Sequence, residues 1–199
     1  MKKIVFSLVL LFVINSAAMA AHQLSEFPLG MPKMEALAKG LVLQDQQGGL
    51  MNIAFGGREW PTALVFENDK LVYLLLKGNG DEYVSAINYG LVAQLGWLII
   101  YEATDKNLVF DAIKLASSGM DEMAIADEYE KFLTIMESQR FTSSTSVYIS
   151  SMVWAAFKQL RGENPVDTYP EATLCHATIN GNDVSLVFTT FGYMDRIKK

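Results

Sequence analysis

Two short polar turns set the terms on which this chain can fold. Asn180-Gly181-Asn182-Asp183 separates Ala172 to Ile179 from Val184 to Phe191, and Glu67-Asn68-Asp69-Lys70 separates Thr62 to Phe66 from Leu71 to Leu76. Asn, Asp and Gly tolerate the left-handed backbone that tight hairpins require, so each turn commits its flanking segments to antiparallel pairing. The segment Leu71 to Leu76 (LVYLLL) barely alternates, which predicts a central strand covered on both faces. Leu50 to Phe55, closed by Gly56-Gly57, and Trp97 to Tyr101 are two further strand candidates.

Helical periodicity fills the intervals. Pro32 suits a first helical turn, and Met34, Leu37, Ala38 and Leu41 follow on one face. Val84, Ile87, Leu91 and Leu95 recur at helical spacing behind Asp81, a predicted N-cap. A helix capped by Thr104 or Asp105 is expected to carry Leu108, Ala112 and Leu115 and to stop at Ser118-Gly119. The longest predicted helix is Asp121 to Arg140, with Ile125, Tyr129, Phe132 and Met136 inward and Asp127, Glu128, Glu130, Lys131 and Glu137 mostly outward. Residues 143–160 open with a β-like SSTSVYIS and end with a helical MVWAAFKQL, and a helix from about Val147 is the expectation. Ala21 to Pro28 reads as an extended lead-in, and Glu163 to Pro170 as a loop. Helices and hairpin strands are segregated, so the class is α+β: antiparallel sheet with helices packed on one face, in one domain over 21–199. Gly30-Met31-Pro32-Lys33-Met34-Glu35-Ala36 is echoed by Gly119-Met120-Asp121-Glu122-Met123-Ala124-Ile125. Two related helix-plus-sheet halves with a boundary near 118–120 would leave this pattern, and so would coincidence among common residues.

The N-terminus carries an address. Met1-Lys2-Lys3 precedes an uncharged run from Ile4 to Ile14, and Ala17-Ala18-Met19-Ala20 offers a small-residue cleavage site before Ala21. This order is that of a secretory signal peptide over 1–20, and the run is shorter than the 20 or so residues of a membrane span. The expectation is a mature protein in the periplasm, with full secretion as the other destination. Cleavage would remove two of the 16 Lys+Arg and none of the 22 Asp+Glu, making a chain of formal charge −6 still more acidic. Such a balance disfavours nucleic acid and anionic lipid, despite the small basic tail of Arg196, Lys198 and Lys199. Ala21 follows the cut, so no lipidated cysteine is expected, and no stable membrane anchor.

Catalytic motifs are sparse. Cys175-His176 is the one suggestive pair, but strand neighbours point to opposite faces, and Cys175 shares its face with Ala177 and Ile179. An inert buried thiol with a surface or edge histidine is the expectation. The chain holds 2 histidines and 1 cysteine, which leaves no intramolecular disulfide and no familiar zinc or calcium spacing. The acids of 121–130 read as a solvated helix face. The serines at 143–146 and 150–151 lack a nucleophile-elbow or Ser-x-x-Lys context. No cofactor, metal site or catalytic residue is therefore assigned. Aromatic side chains on an exposed sheet face would anchor a partner; Trp60, Tyr73 and Tyr101 are the candidate binding residues, although burial is the commoner fate of large aromatics.

Phe27-Pro28-Leu29-Gly30-Met31-Pro32-Lys33-Met34-Glu35-Ala36, followed by Ala63-Leu64-Val65-Phe66-Glu67-Asn68-Asp69, resembles the opening of small bacterial envelope modules. These are the β-lactamase-inhibitor-protein-like group, which includes small outer-membrane-assembly lipoproteins. The resemblance covers residues 27–76, with its echo at 119–191; the group's second Leu-Gly-x-Pro motif and its lipidated cysteine are absent. It implies a module that binds through a sheet face and loops. The leading expectation is thus an exported, soluble, non-catalytic module that binds an envelope protein or small ligand. An envelope hydrolase using carboxylates or serines assembled by the fold is the alternative.

Overall fold

The computed structural model describes residues 22–139, 141–157 and 165–198; the expected leader at 1–20 and the end of the MVWAAFKQL segment lie outside them. Ten strands form one sheet in the order β1-β3-β4-β5-β10-β9-β8-β6-β7, with β2 also on β3. The strands are β1 (His22–Gln23), β2 (Val42–Leu43), β3 (Gly48–Phe55), β4 (Arg58–Glu67), β5 (Lys70–Asn79), β6 (Trp97–Thr104), β7 (Val109–Asp111), β8 (Ser143–Ser150), β9 (Thr173–Asn180) and β10 (Asp183–Thr190). The helices are α1 (Lys33–Ala38), α2 (Asp81–Asn88), α3 (Ala112–Ser117), α4 (Glu122–Ser138), α5 (Ser151–Phe157), α6 (Pro165–Thr168) and α7 (Phe191–Lys198). The α+β class is as the sequence implies.

Both predicted hairpins form. Asn68 and Asp69 have φ of 49° and 60°, and Gly181 has φ of 58°, the left-handed geometry that two-residue turns need. β3-β4-β5 and β8-β9-β10 are thus two antiparallel meanders, and β5 joins β10 antiparallel from Tyr73↔Thr189 to Asn79↔Asp183. The LVYLLL run is central, as expected. Leu74 and Leu76 are buried on one face, whereas Tyr73 and Leu75 on the other are only half-buried.

That asymmetry extends through the sheet. On the first face Ile53, Leu64, Leu74, Leu76, Cys175, Leu186 and Phe188 pack with Ala36 of α1 and with Ala86 and Ile87 of α2. On the second face Ile149 and Leu174 pack with Trp154 and Phe157 of α5 and with Phe191 at the start of α7. Helices therefore contribute to both faces. The sheet edges are short: β1 and β2 together flank β3, and β7 is only three residues long, which limits pairing with other chains.

Several local expectations are corrected. The lead-in is partly structured: β1 pairs parallel with β3, a 3-10 turn follows at Leu24–Glu26, and Phe27 is buried. No helix begins at Thr104 or Asp105. The Asp105 carboxylate instead accepts from the Thr142 hydroxyl, Asn107 takes a positive φ, and Val109–Asp111 pairs with β6. Helix α3 starts only after Asp111, whose side chain accepts from the Lys114 N–H at 2.9 Å. β8 continues through Ser150 where a helix from Val147 was expected, because β6 and β9 flank it and both Tyr148 and Ile149 are buried, one on each face. Gly80 rather than Asp81 is the α2 N-cap, and the 163–170 loop holds the short α6. After Asn88 the helix widens into a π segment, Tyr89–Gln94, and Leu95 beyond its end is exposed.

Gly90 lies within that π segment and against Phe55: a Cβ there would fall 2.3 Å from Phe55 Cζ. Gly90→Ala is expected to lower stability by about 1–3 kcal/mol through overpacking, read as a shift in the urea midpoint. Phe55→Leu in the same background should recover part of the loss. An unchanged midpoint in Gly90→Ala would contradict this packing.

Candidate functional site

Strand register places each candidate residue. Tyr101 lies on the second face in a row that crosses the sheet: Leu50, Ala63, Leu75, Val187, His176, Val147, Tyr101. Tyr73 shares that face, half-buried beside Tyr193 of α7 with ring centroids 6.1 Å apart; burial raises its hydroxyl pKa. Tyr73 and Tyr101 stand on strands four spacings apart, about 19 Å. Trp60 points to the other face, is fully buried and donates its indole N–H to the Phe55 carbonyl at 2.9 Å. The three aromatics are therefore not brought together, and Trp60 belongs to the core.

The second face itself is the more informative feature. Its cover thins along the strands. Thr189, Leu174 and Ile149 are buried; Val187, His176 and Val147, two residues along each strand, are less so. The next row, Lys77-Ser185-Thr178-Thr145-Ala103, contains no buried residue. A cleft of about 650 Å³ opens at its first-half end, lined among others by Pro61, Lys77, Thr178, Asn180, Asp183 and Ser185. The Asn79 amide donates to the Asp183 carboxylate across its rim at 2.7 Å. Three consecutive hydroxyls between Lys77 and Ala103 offer hydrogen-bond donors and acceptors over a broad surface, with the row through Leu75, Val187, His176 and Val147 alongside. The sequence carries the signal as alternation, in LLLKGN, HATIN and DVSLVF, where polar side chains recur on one face of otherwise apolar strands.

A second cleft, about 630 Å³, is lined among others by Glu67, Lys70, Glu171, Thr173, Tyr193 and Arg196. Its Arg196 guanidinium already sits 3.1 Å from the Glu67 carboxylate and over the Tyr193 ring.

Glu102 was not singled out by sequence, because a glutamate in a strand ordinarily faces water. It is 8% exposed, and burial pushes its carboxyl pKa up against the lowering effect of Ser146 and Tyr129. It lines neither cleft, so the perturbed carboxylate and these candidate binding surfaces are separate places. Among the described residues no group of three or more His, Cys, Asp and Glu is arranged to hold a metal ion. No described helix is long and apolar enough to cross a membrane.

Cys175 and His176 diverge as strand geometry requires. Cys175 pairs with Phe188 and Tyr148 on the first face and is fully buried, which raises its thiol pKa well above the ordinary value. His176 faces the opposite side with Thr178. Comparison with known proteins finds no matching family model, no similar curated protein and no similar solved structure.

Thiol labelling checks the burial of Cys175. In native protein its reaction with a soluble disulfide reagent is expected to be limited by opening of the β8-β9-β10 meander, and complete within seconds once urea unfolds the chain. Rapid native labelling would show instead that the thiol is accessible.

Proposed function

We propose that the chain is an exported, non-catalytic binding module that engages its partner through the open second face of the sheet. The observation that carries this reading is the row from Lys77 to Ala103, in which no residue is buried, bordered by the row through His176 and by the cleft at Pro61. A face of this breadth, with hydroxyls and a few charges over apolar neighbours, matches the make-up of a protein-binding patch better than that of an enclosed small-ligand pocket. The resemblance of Phe27 to Asp69 to envelope modules that bind through a sheet supports the same use, and the basic-apolar-small order of 1–20 supports delivery to the periplasm. The hydrolase alternative asks for a perturbed carboxylate in a cleft, and Glu102 does not supply it in either cleft described.

Two measurements test the proposal. Export with cleavage predicts that protein recovered from the periplasmic fraction begins at Ala21; a cytoplasmic chain retaining Met1 would defeat that half. A photo-crosslinking residue at Thr178 or Lys77 in intact cells should give a discrete adduct, while the same residue at Asp127 on the outer side of α4 should not. Lys77→Glu together with Thr178→Arg should reduce the adduct formed by a probe at Ser185 at least tenfold while leaving the thermal midpoint nearly unchanged, since these side chains lie outside the core. Equal labelling from α4, or none from either probe on the open face, would refute the assignment of the face.

A further inference from the structure

The central pairing of the sheet stops short of its strands' ends. β5 and β10 pair as far as Tyr73↔Thr189, and below that point they part. On one side β5 runs on to Lys70 with an extra residue, Val72, because Val65 pairs with Tyr73 and the next β4 residue, Phe66, pairs with Leu71. A bulge of this kind bends its strand. On the other side β10 ends at Thr190 and the chain turns directly into α7. The second cleft, about 630 Å³, lies between these diverging elements, and its volume is in the ordinary range of ligand sites. It stands at the opposite end of β5 from the cleft at Pro61 and has no lining residue in common with it.

Both walls are held by backbone hydrogen bonds. The Gly30 N–H donates to the Leu71 carbonyl at 2.7 Å, and the Leu71 N–H to the Met31 carbonyl at 2.8 Å, which ties β5 to the lead-in. The Gly192 N–H donates to the Pro170 carbonyl at 2.8 Å, and the Phe191 N–H to the Ala172 carbonyl at 3.1 Å, which ties α7 to the segment before β9. Where the strands part, the Thr189 hydroxyl donates to the carbonyl of the bulged Val72 at 2.9 Å. A cleft built in this way is preformed, and that lowers the ordering cost of binding.

Charges of both signs line it: Lys70 and Arg196 against Glu67 and Glu171. Arg196 is held in place, with Nη2 3.1 Å from the Glu67 carboxylate and the guanidinium carbon 5.2 Å from the Tyr193 ring centroid. That ion pair uses one nitrogen of a planar group whose remaining donors suit a second carboxylate. Lys70, opposite Glu67 on the same hairpin, adds a cation at this end. Glu171 sits between Pro170 and Ala172, both bonded to the first turn of α7, so it stands level with Gly192. Arg196 is one further turn along the helix, about 6 Å. Two peptide residues span about 7 Å, which sets an ammonium and a carboxylate at this separation. A simple anion fits less well, since Glu67, Glu171 and the chain's formal charge of −6 all oppose it, whereas a zwitterion is neutral. Leu29, Val72 and Pro170 supply apolar surface for its side chains. We propose that this cleft binds a dipeptide with free ends, its C-terminal carboxylate on Arg196 and Lys70 and its N-terminal ammonium on Glu171. Glu67 and Tyr193 act through Arg196 as positioning residues.

Calorimetric titration of the purified protein with the dipeptide alanyl-leucine tests this. Binding in the millimolar range or tighter is expected, and inorganic phosphate at equal concentration should not displace the peptide. Converting the carboxylate to an amide, or acetylating the amine, should weaken binding roughly tenfold in each case through loss of a charge-assisted contact. Arg196→Gln should have a similar effect, and Arg196→Lys nearly as large a one, because an ammonium lacks the planar fork. Both variants should keep the thermal midpoint, since the Arg196 side chain is 64% exposed; the capped peptides decide the question on the unaltered protein in any case. Glu171→Gln should weaken alanyl-leucine and leave its N-acetyl form unaffected, which a merely structural role would not do. No binding of alanyl-leucine, equal binding of its capped forms, displacement by phosphate, undiminished affinity in Arg196→Gln, or equal loss for both peptides in Glu171→Gln would each overturn the proposal.

Discussion

The antiparallel seam between β5 and β10 is the pairing on which the remainder of the architecture depends. It joins residues more than a hundred positions apart, from Tyr73↔Thr189 to Asn79↔Asp183, and turns two three-stranded meanders into one sheet. Without it β5 would be an edge strand presenting LVYLLL to solvent, an open template for aggregation. The seam also explains why this strand can abandon alternation while its neighbours keep it. Leu74 and Leu76 complete a core with Leu186 and Phe188, and Tyr73 and Leu75 need only partial cover from α7 and the neighbouring strands. Such non-local pairing repays its loop-closure cost only after both meanders exist, so local hairpin formation at Asn68-Asp69 and Gly181-Asn182 is a natural precursor.

Once the seam is made, cover on the two faces is unequal. The first face carries the larger apolar core and receives α1 and α2; the second is sealed only near Thr189, Leu174 and Ile149, beneath α5 and α7. Further along the same strands Ser185, Thr178 and Thr145 stand where leucine or valine would demand a covering element. These hydroxyls are tolerable in water and would be costly under a helix without partners. The side-chain choice and the missing cover are thus two sides of one fact. This is why hydroxyls stand on the thinly covered face, and why Cys175 and Trp60, on the better-covered face, are buried packing residues.

Much of this was legible in the residues. Turn chemistry located both hairpins, and the periodic stripe of Ile125, Tyr129, Phe132 and Met136 located α4 with its Asp121 cap. Strand alternation separated Cys175 from His176. The failures share a physical cause, since tertiary pairing outweighs local propensity. Tyr148 and Ile149 are strand residues because β6 and β9 lie on either side, whatever the helical texture of the residues that follow. Phe110 joins β7 because it has a place opposite Glu102, which a helix through Leu108 and Ala112 would have denied it. Glu102 itself was illegible: nothing local marks a strand glutamate as buried until the helix that covers it is in place. Trp60 and Tyr73 were indistinguishable by sequence, and only register assigns them to opposite faces.

The echo between Gly30-Met31-Pro32 and Gly119-Met120-Asp121 acquires structural content. Gly30 and Gly119 have φ of 87° and 90°, Pro32 and Asp121 occupy the N-cap, and Ala36 and Ile125, each six residues past the glycine, are both buried. Each helix precedes a three-stranded meander. The two then differ in length: α1 has 6 residues and α4 has 17. The part of α4 with no counterpart in α1 begins just before Tyr129, and it carries Tyr129 to Glu102 and Phe132 to Phe110. Where the short helix ends over an apolar face, nothing more is needed. Where the long one continues, Phe132 is buried with Ile125 and Phe110 in the second apolar core, and the Tyr129 hydroxyl donates to the Glu102 carboxylate. The added turns therefore seat the helix on an aromatic cluster of Phe110, Tyr129 and Phe132 and place a phenol over the buried Glu102, which the shorter helix has no length to do.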